Sequence, residues 1–221
     1  MAEQLTFDLP VRVSRARGDF FVSEANALAI ARLDTVESWP NAKLGLVGPA
    51  GSGKTHLAHV WAEAHGARGL AVGALPGMDV TAVDGARFVE CDDGRMPADA
   101  EEALFHLHNH MVARRLPMLL LSRTPLSQWD IALPDLKSRM EATDIVRIEA
   151  PDDALLAAVM LKQFADRQVQ VAPQVIRFLT THMQRSFAEA ERLVDALDKV
   201  ALAEGRAVTR PLAQRVLDKG R

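Results

Sequence analysis

Leu44-Gly-Leu-Val47-Gly48-Pro-Ala-Gly-Ser-Gly53-Lys54-Thr55 is the stretch that decides the fold. The apolar run over 44–47 suits a buried strand, and it ends in a loop that fits G-x-x-x-x-G-K-[ST] at every fixed position. Gly48, Gly51 and Gly53, with Pro49, Ala50 and Ser52 between them, let the backbone curl so that several N–H groups point inward at phosphate oxygens. The spacing predicts a helix over 56–65, whose positive N-terminal end strengthens the attraction for an anion. Lys54 is in position to reach β- and γ-phosphates, and the Thr55 hydroxyl to hold magnesium. Strand, glycine loop and helix in that order open a βαβ pattern.

The pattern continues outward. Candidate strands at 70–72, 88–91, 118–121 and 144–148 alternate with helices, the strongest over 100–115, which predicts a parallel sheet covered on both faces. Upstream, the spacing of Ala27, Leu28, Ala31 and Leu33 predicts a helix over 25–37. After Pro151 the pattern becomes wholly helical, with helices over 154–168 and 174–183, the second opened by Pro173. Ser186 and Glu189 read as a capping box starting a third helix, whose stripe is Ala190, Leu193, Val194, Leu197 and Ala201. Thr209 and Pro211 open a last short helix ending near Gly220. The expected organisation is a tail over 1–10, an α/β nucleotide-binding base over 11–150 and an all-helical lid over 151–221.

Composition narrows the class. The 221 residues are 48% hydrophobic with a net charge of −3, which suits a globular protein and argues against tight DNA binding of its own. Cys91 is the only cysteine, excluding an internal disulfide and a cysteine-built zinc site and agreeing with a reducing compartment. The start lacks a secretory pattern, and no stretch approaches the roughly 18 apolar residues of a spanning helix. A cytoplasmic protein without membrane association is the expectation.

A phosphate loop needs an acidic partner at the end of another strand. Phe88-Val-Glu-Cys-Asp92-Asp93 offers Asp92 for the magnesium side and Asp93 for orienting water, although Glu90 interrupts the apolar run. The competing reading is that Asp92, Asp93 and Gly94 form a turn. Ser122, closing the run over 118–121, suits a sensor contact near the γ-phosphate. His106, His108 and His110 invite a metal reading, but only the first and last share a helix face and no carboxylate joins them, so a helix surface is expected. Trp61 and Trp129 read as packing residues.

The segment Gly51-Ser-Gly-Lys-Thr-His56-Leu57, the paired acids and Leu133-Pro-Asp-Leu-Lys-Ser-Arg139-Met140 together resemble the bacterial replication initiator DnaA, and the LPDLxSR form is closer still to the short Hda-like members of that family. The resemblance runs from about residue 20 to residue 217. It implies an AAA+ fold with ADP or ATP and magnesium held between base and lid, residues 48–56 through His56 gripping phosphates, and Ser122 in the first sensor position. It also implies that Phe21 and Val22, with Phe20, close over the adenine, and that Arg139 is an arginine finger stabilising charge on a neighbouring subunit's γ-phosphate. The alternative for Arg139 is a solvated loop arginine.

The chain departs from the pattern in two places. The resemblance stops at the lid and does not reach DnaA's C-terminal helix-turn-helix, so self-contained origin recognition is not expected. An ungapped register puts Glu191, with Arg192 beside it, where the lid's sensor arginine is expected, so slow hydrolysis of the chain's own ATP is anticipated. Gln4-Leu5-Thr6-Phe7-Asp8-Leu9 resembles the peptide that binds the DNA polymerase sliding clamp, an extended segment whose Leu5, Phe7 and Leu9 fill a groove while Gln4 hydrogen-bonds; the competing reading is a strand padding the base. The resemblance therefore implies a regulator that docks on the clamp and stimulates ATP hydrolysis by DnaA, with homodimer or oligomer left open. The other classes are a DnaA-like or loader-like ATPase hydrolysing its own ATP, and a small-molecule P-loop kinase.

Overall fold

A short antiparallel pair, β1 (Arg12–Val13) with β2 (Phe21–Val22), is the first pairing in the computed structural model, which describes residues 12–13 and 21–219. Gln4, Leu5, Phe7 and Leu9 lie outside the described residues, as do Phe20 and the side chain of Phe21. The chain divides into two units: Asn26–Glu149, and the described residues through Ala25 together with Ala150 onward.

The first unit begins with α1 (Ala27–Leu33). The helix expected over 25–37 stops there because Thr35 turns its hydroxyl onto the carbonyls of Ala31 and Arg32 while the Trp39 indole donates to Arg32 O at 2.7 Å, satisfying the last turn from outside. A separate 3₁₀ turn covers Val36–Ser38. Then come β3 (Lys43–Val47), α2 (Lys54–His65), β4 (Arg68–Ala71), β5 (Arg87–Glu90), α3 (Ala98–Ala113), β6 (Met118–Ser122), α4 (Pro134–Glu141) and β7 (Ile145–Arg147). The strand expected at 70–72 forms slightly earlier because Val72 enters a 3₁₀ turn.

All five long-sheet strands are parallel, in the order β4-β5-β6-β3-β7, as the alternating pattern predicts. β3 has a neighbour on each side, with Leu46 opposite Leu121 and Val146. Both β3 and β6 are buried along their whole length, which explains continuous apolar runs in place of alternation. Trp61 and Trp129 are buried packing residues, Trp61 stacking on Trp39 with ring centroids 5.5 Å apart. Helix α4 was not expected from periodicity; Pro134 at its first position, where the missing N–H costs nothing, starts it.

The other unit holds α5 (Asp153–Asp166), α6 (Pro173–His182), α7 (Phe187–Glu204) and α8 (Arg210–Lys219). The stripe Ala190, Leu193, Val194, Leu197 and Ala201 is buried in its core with Leu156, Phe164 and Leu179. Only half of the capping box forms. Ser186 Oγ accepts from Glu189 N at 3.1 Å, but the Glu189 carboxylate is taken by Arg192 in two bonds of 2.7 and 2.8 Å. A bidentate charge-assisted pair outcompetes a single bond back to the N-cap.

The histidine run divides differently from the expectation of a helix surface. His106 is exposed and His110 Nε2 is bonded to Val83 O at 2.7 Å, but His108 is buried. Its Nε2 lies 2.9 Å from Lys43 Nζ, so the neutral ring accepts from the ammonium. Burial first, and then the Lys43 charge, push the His108 pKa down to about 4 from 6.5. Between those values the unfolded chain binds a proton that the folded chain refuses, so stability falls as pH drops from 6.5 to 4, by about 3 kcal/mol at about 1.36 kcal/mol per pKa unit. All three tryptophans belong to the same unit as His108, so their fluorescence reports its urea unfolding. The acid loss is expected to shrink in His108→Gln; an unchanged pH slope would show that another group carries it.

Candidate functional site

The glycine loop leaves the end of β3 and turns directly into α2. Gly51 and Gly53 have φ of 69° and 90°, and Gly53 sits immediately before Lys54, the first residue of α2. A side chain at Gly53 would be strained in that left-handed geometry. At Gly48 the limit is space: an added Cβ would stand 2.6 Å from Ile148 O and 2.9 Å from Ser52 Oγ. Lys54 is buried, and its Nζ folds back to donate to the carbonyls of Gly48 at 2.9 Å and Pro49 at 3.0 Å. Ser52 Oγ is buried without a hydrogen-bond partner among the described residues.

This arrangement fits a polyphosphate. The loop has the tight glycine turn, the helix N-terminus and an ammonium whose carbonyl bonds are exchangeable for anionic oxygens. Pro49, Ala50, Gly51 and Ser52 make up its curl; Thr55 and His56 lie exposed in the first turn of α2.

The sheet brings the expected partners to the same edge. β6 lies between β3 and β5, and Val47 pairs with Ser122 while Glu90 pairs with Leu121. Gly48 N donates to Ser122 O at 3.1 Å, and Arg123 N donates to Asp92 O at 2.8 Å, so loop, Ser122 and Asp92 converge at the strand ends. Ser122 is fully buried, and its Oγ accepts from Trp129 Nε1 at 3.0 Å and Thr124 N at 3.1 Å. Trp129 thus orients the hydroxyl as well as packing.

Asp92 is exposed and pairs with Arg123 Nε at 3.7 Å. Asp93 Oδ1 accepts from Arg95 N at 3.2 Å, which fits the turn reading for that residue. Sequence reasoning missed Arg123; the signal was a basic residue directly after Ser122. Among the described residues no cluster of three or more His, Cys, Asp or Glu could hold a metal. Magnesium would therefore rely on Thr55 and Asp92 together with phosphate oxygens, an ordinary arrangement for that ion.

Burial lowers the Lys54 pKa, Asp92 opposes that shift, Arg123 adds to it, and Glu90 opposes it more weakly. Glu90 Oε1 is itself buried without a hydrogen-bond partner among the described residues. The residue that interrupts the apolar run thus adds negative field where an anion is expected.

Arg139 lies on helix α4 and is half-buried, so it is neither in a loop nor freely solvated. Phe105 and Asn109, four residues apart on one face of α3, hold it: the guanidinium carbon is 4.7 Å from the Phe105 ring centroid, and Nε donates to Asn109 Oδ1 at 3.0 Å. Nη1 donates to Asp135 O at 3.0 Å. Glu191 and Arg192 are both exposed on α7, and Arg192 is engaged by Glu189. Phe21 and Val22 form β2.

Titration calorimetry with magnesium and ADP tests the loop. Lys54→Ala is expected to weaken binding at least about 100-fold, and Glu90→Gln to tighten it about threefold by removing a nearby like charge. Unchanged affinity in Lys54→Ala would contradict the assignment.

Comparison with known proteins bears on the fold and on the helical unit. Residues 152–217 match the family model described as Hda, lid domain. Domain III of the Thermotoga maritima replication initiation protein DnaA superposes with a TM-score of 0.78 at 15% identity, covering 90% of this chain and 94% of that one. AMPPCP-bound DnaA from Aquifex aeolicus gives 0.69 at 19% identity, with 91% and 68% covered. The Thermotoga maritima RuvB Holliday junction branch migration motor gives 0.64 at 16%, with 87% and 68% covered. The fold is thus the one seen in DnaA domain III, and residues 152–217 are similar to the Hda lid.

Proposed function

We propose that this chain regulates replication initiation by presenting Arg139 to the nucleotide of an ATP-bound DnaA, docking on the sliding clamp through Gln4, Leu5, Phe7 and Leu9. The reading rests on the Hda-type lid match over 152–217 and on one geometric observation about Arg139. Its main-chain carbonyl is bonded by Lys43, the residue that opens β3, whereas the phosphate loop leaves the opposite end of that strand. Five strand residues separate those ends by about 13 Å at about 3.3 Å per step, and the guanidinium is engaged with α3. That arrangement favours a neighbour's phosphate over the chain's own.

In this reading Lys54, Ser52 and the loop backbone bind ADP or ATP, with Thr55 and Asp92 on the magnesium. Bound nucleotide supplies a polyanion that organises these groups. Glu90 beside Lys54, and Arg123 occupying Asp92, support slow turnover at this site. Arg139 stabilises charge developing on the γ-phosphate held by DnaA.

The test follows loss of ATP from DnaA in the presence of clamp, DNA and this protein. Wild type is expected to accelerate it, and Arg139→Ala to lose about 100-fold or more of the effect. Gln4→Ala plus Leu5→Ala is expected to abolish clamp binding and to act only through recruitment. No acceleration by wild type would sink the reading, and retained clamp binding by the double variant would remove its docking half.

A further inference from the structure

Helix α4, which carries Arg139, is short and polar, and two buried charged side chains from other elements hold its two ends. At its entry the Glu101 carboxylate, from the first turn of α3, accepts from Ala132 N at 3.0 and 3.1 Å and from Leu133 N at 2.8 Å. At its exit the Lys43 ammonium donates to Arg139 O at 3.1 Å, and Thr143 Oγ1 donates to the same carbonyl at 2.7 Å. Glu101 and Lys43 are only 5% and 4% exposed, so these bonds form away from water, where they count most.

The signs match the helix dipole, anion at the N-terminal end and cation at the C-terminal end. An eight-residue helix has little stability of its own, so its position is set by such outside partners. Lys43 also reaches the Arg139 side chain indirectly. It donates to His108 Nε2 at 2.9 Å, His108 Nδ1 lies 3.4 Å from Asn109 Oδ1, and that same oxygen accepts from Arg139 Nε at 3.0 Å. The neutral ring lets this relay run from ammonium to guanidinium without a third charge.

We propose that Lys43 and Glu101 are positioning residues: an oppositely charged pair of buried clamps that fixes α4 at both ends and so sets where Arg139 is offered to a partner. The inference rests on the trans reading of Arg139, but its mechanical half stands on the contacts alone. Neither residue touches a reacting group in this account.

The isosteric variants Glu101→Gln and Lys43→Met, in the full chain, provide the test. Amide exchange over 132–143 is expected to speed up at least about tenfold in each while exchange in β3 and β6 stays protected. In the DnaA-bound ATP assay with clamp and DNA, the saturating rate is expected to fall about tenfold while the half-saturating concentration moves less than about twofold, since docking is intact and only the finger is misplaced. Thr143→Val, which removes one bond to the same carbonyl, gives a smaller change in the same direction and covers the case in which Lys43→Met does not fold. Unchanged exchange and an unchanged plateau in a stimulating background overturn the proposal alone. A wild-type chain that fails to stimulate overturns the trans reading, and unchanged exchange in the variants would then remove the clamps as well.

Discussion

Strand β3 must satisfy backbone bonds on both edges and apolar contacts on both faces, and much of the α/β unit follows from that constraint. Buried between β6 and β7, it fixes the register of the sheet and gives both its ends a defined place. One end releases the chain into the glycine loop and α2. The other end is Lys43, a charge that stays in the interior because His108 and the carbonyl of Arg139 accept its hydrogen bonds. The phosphate loop and the arginine helix are thus joined through one rigid strand while facing opposite ends of it.

The charges around the loop fit the slow turnover proposed for this site. Lys54 is desolvated and surrounded by Asp92, Arg123 and Glu90, with no single sign dominating. Such a balance tolerates a bound polyanion but leaves little surplus positive field for charge developing in a transition state. The guanidinium proposed for that task is on α4, over the Phe105 ring and bonded to Asn109. The loop and that guanidinium belong to opposite ends of β3, which is what the proposed trans role of Arg139 requires.

What was legible in the sequence follows from how local each signal is. The loop, its strand and its helix are contiguous, so glycine spacing and an apolar run sufficed. The stripe from Ala190 to Ala201 repeats at helical period and its burial follows. Helix α4 escaped because Pro-Asp-Leu-Lys-Ser-Arg-Met-Glu has only two buried residues, Leu136 and Met140, too few for a periodic signal. His108 escaped because a three-histidine helical segment reads as polar surface, and only the fold reveals Lys43 beneath it. Arg123 on Asp92 and Arg192 on Glu189 are side-chain choices made among competing partners, which residue spacing alone does not rank.

Arg139 is proposed to act on another protein's nucleotide while the chain's own nucleotide is structural. A single-turnover experiment addresses both halves together: this protein is first loaded with a non-hydrolysable ATP analogue, then mixed with clamp, DNA and DnaA carrying ATP labelled at the γ-phosphate. Labelled phosphate is expected to be released from DnaA still at the accelerated rate. Acceleration that disappears when the chain's own site cannot turn over would contradict it.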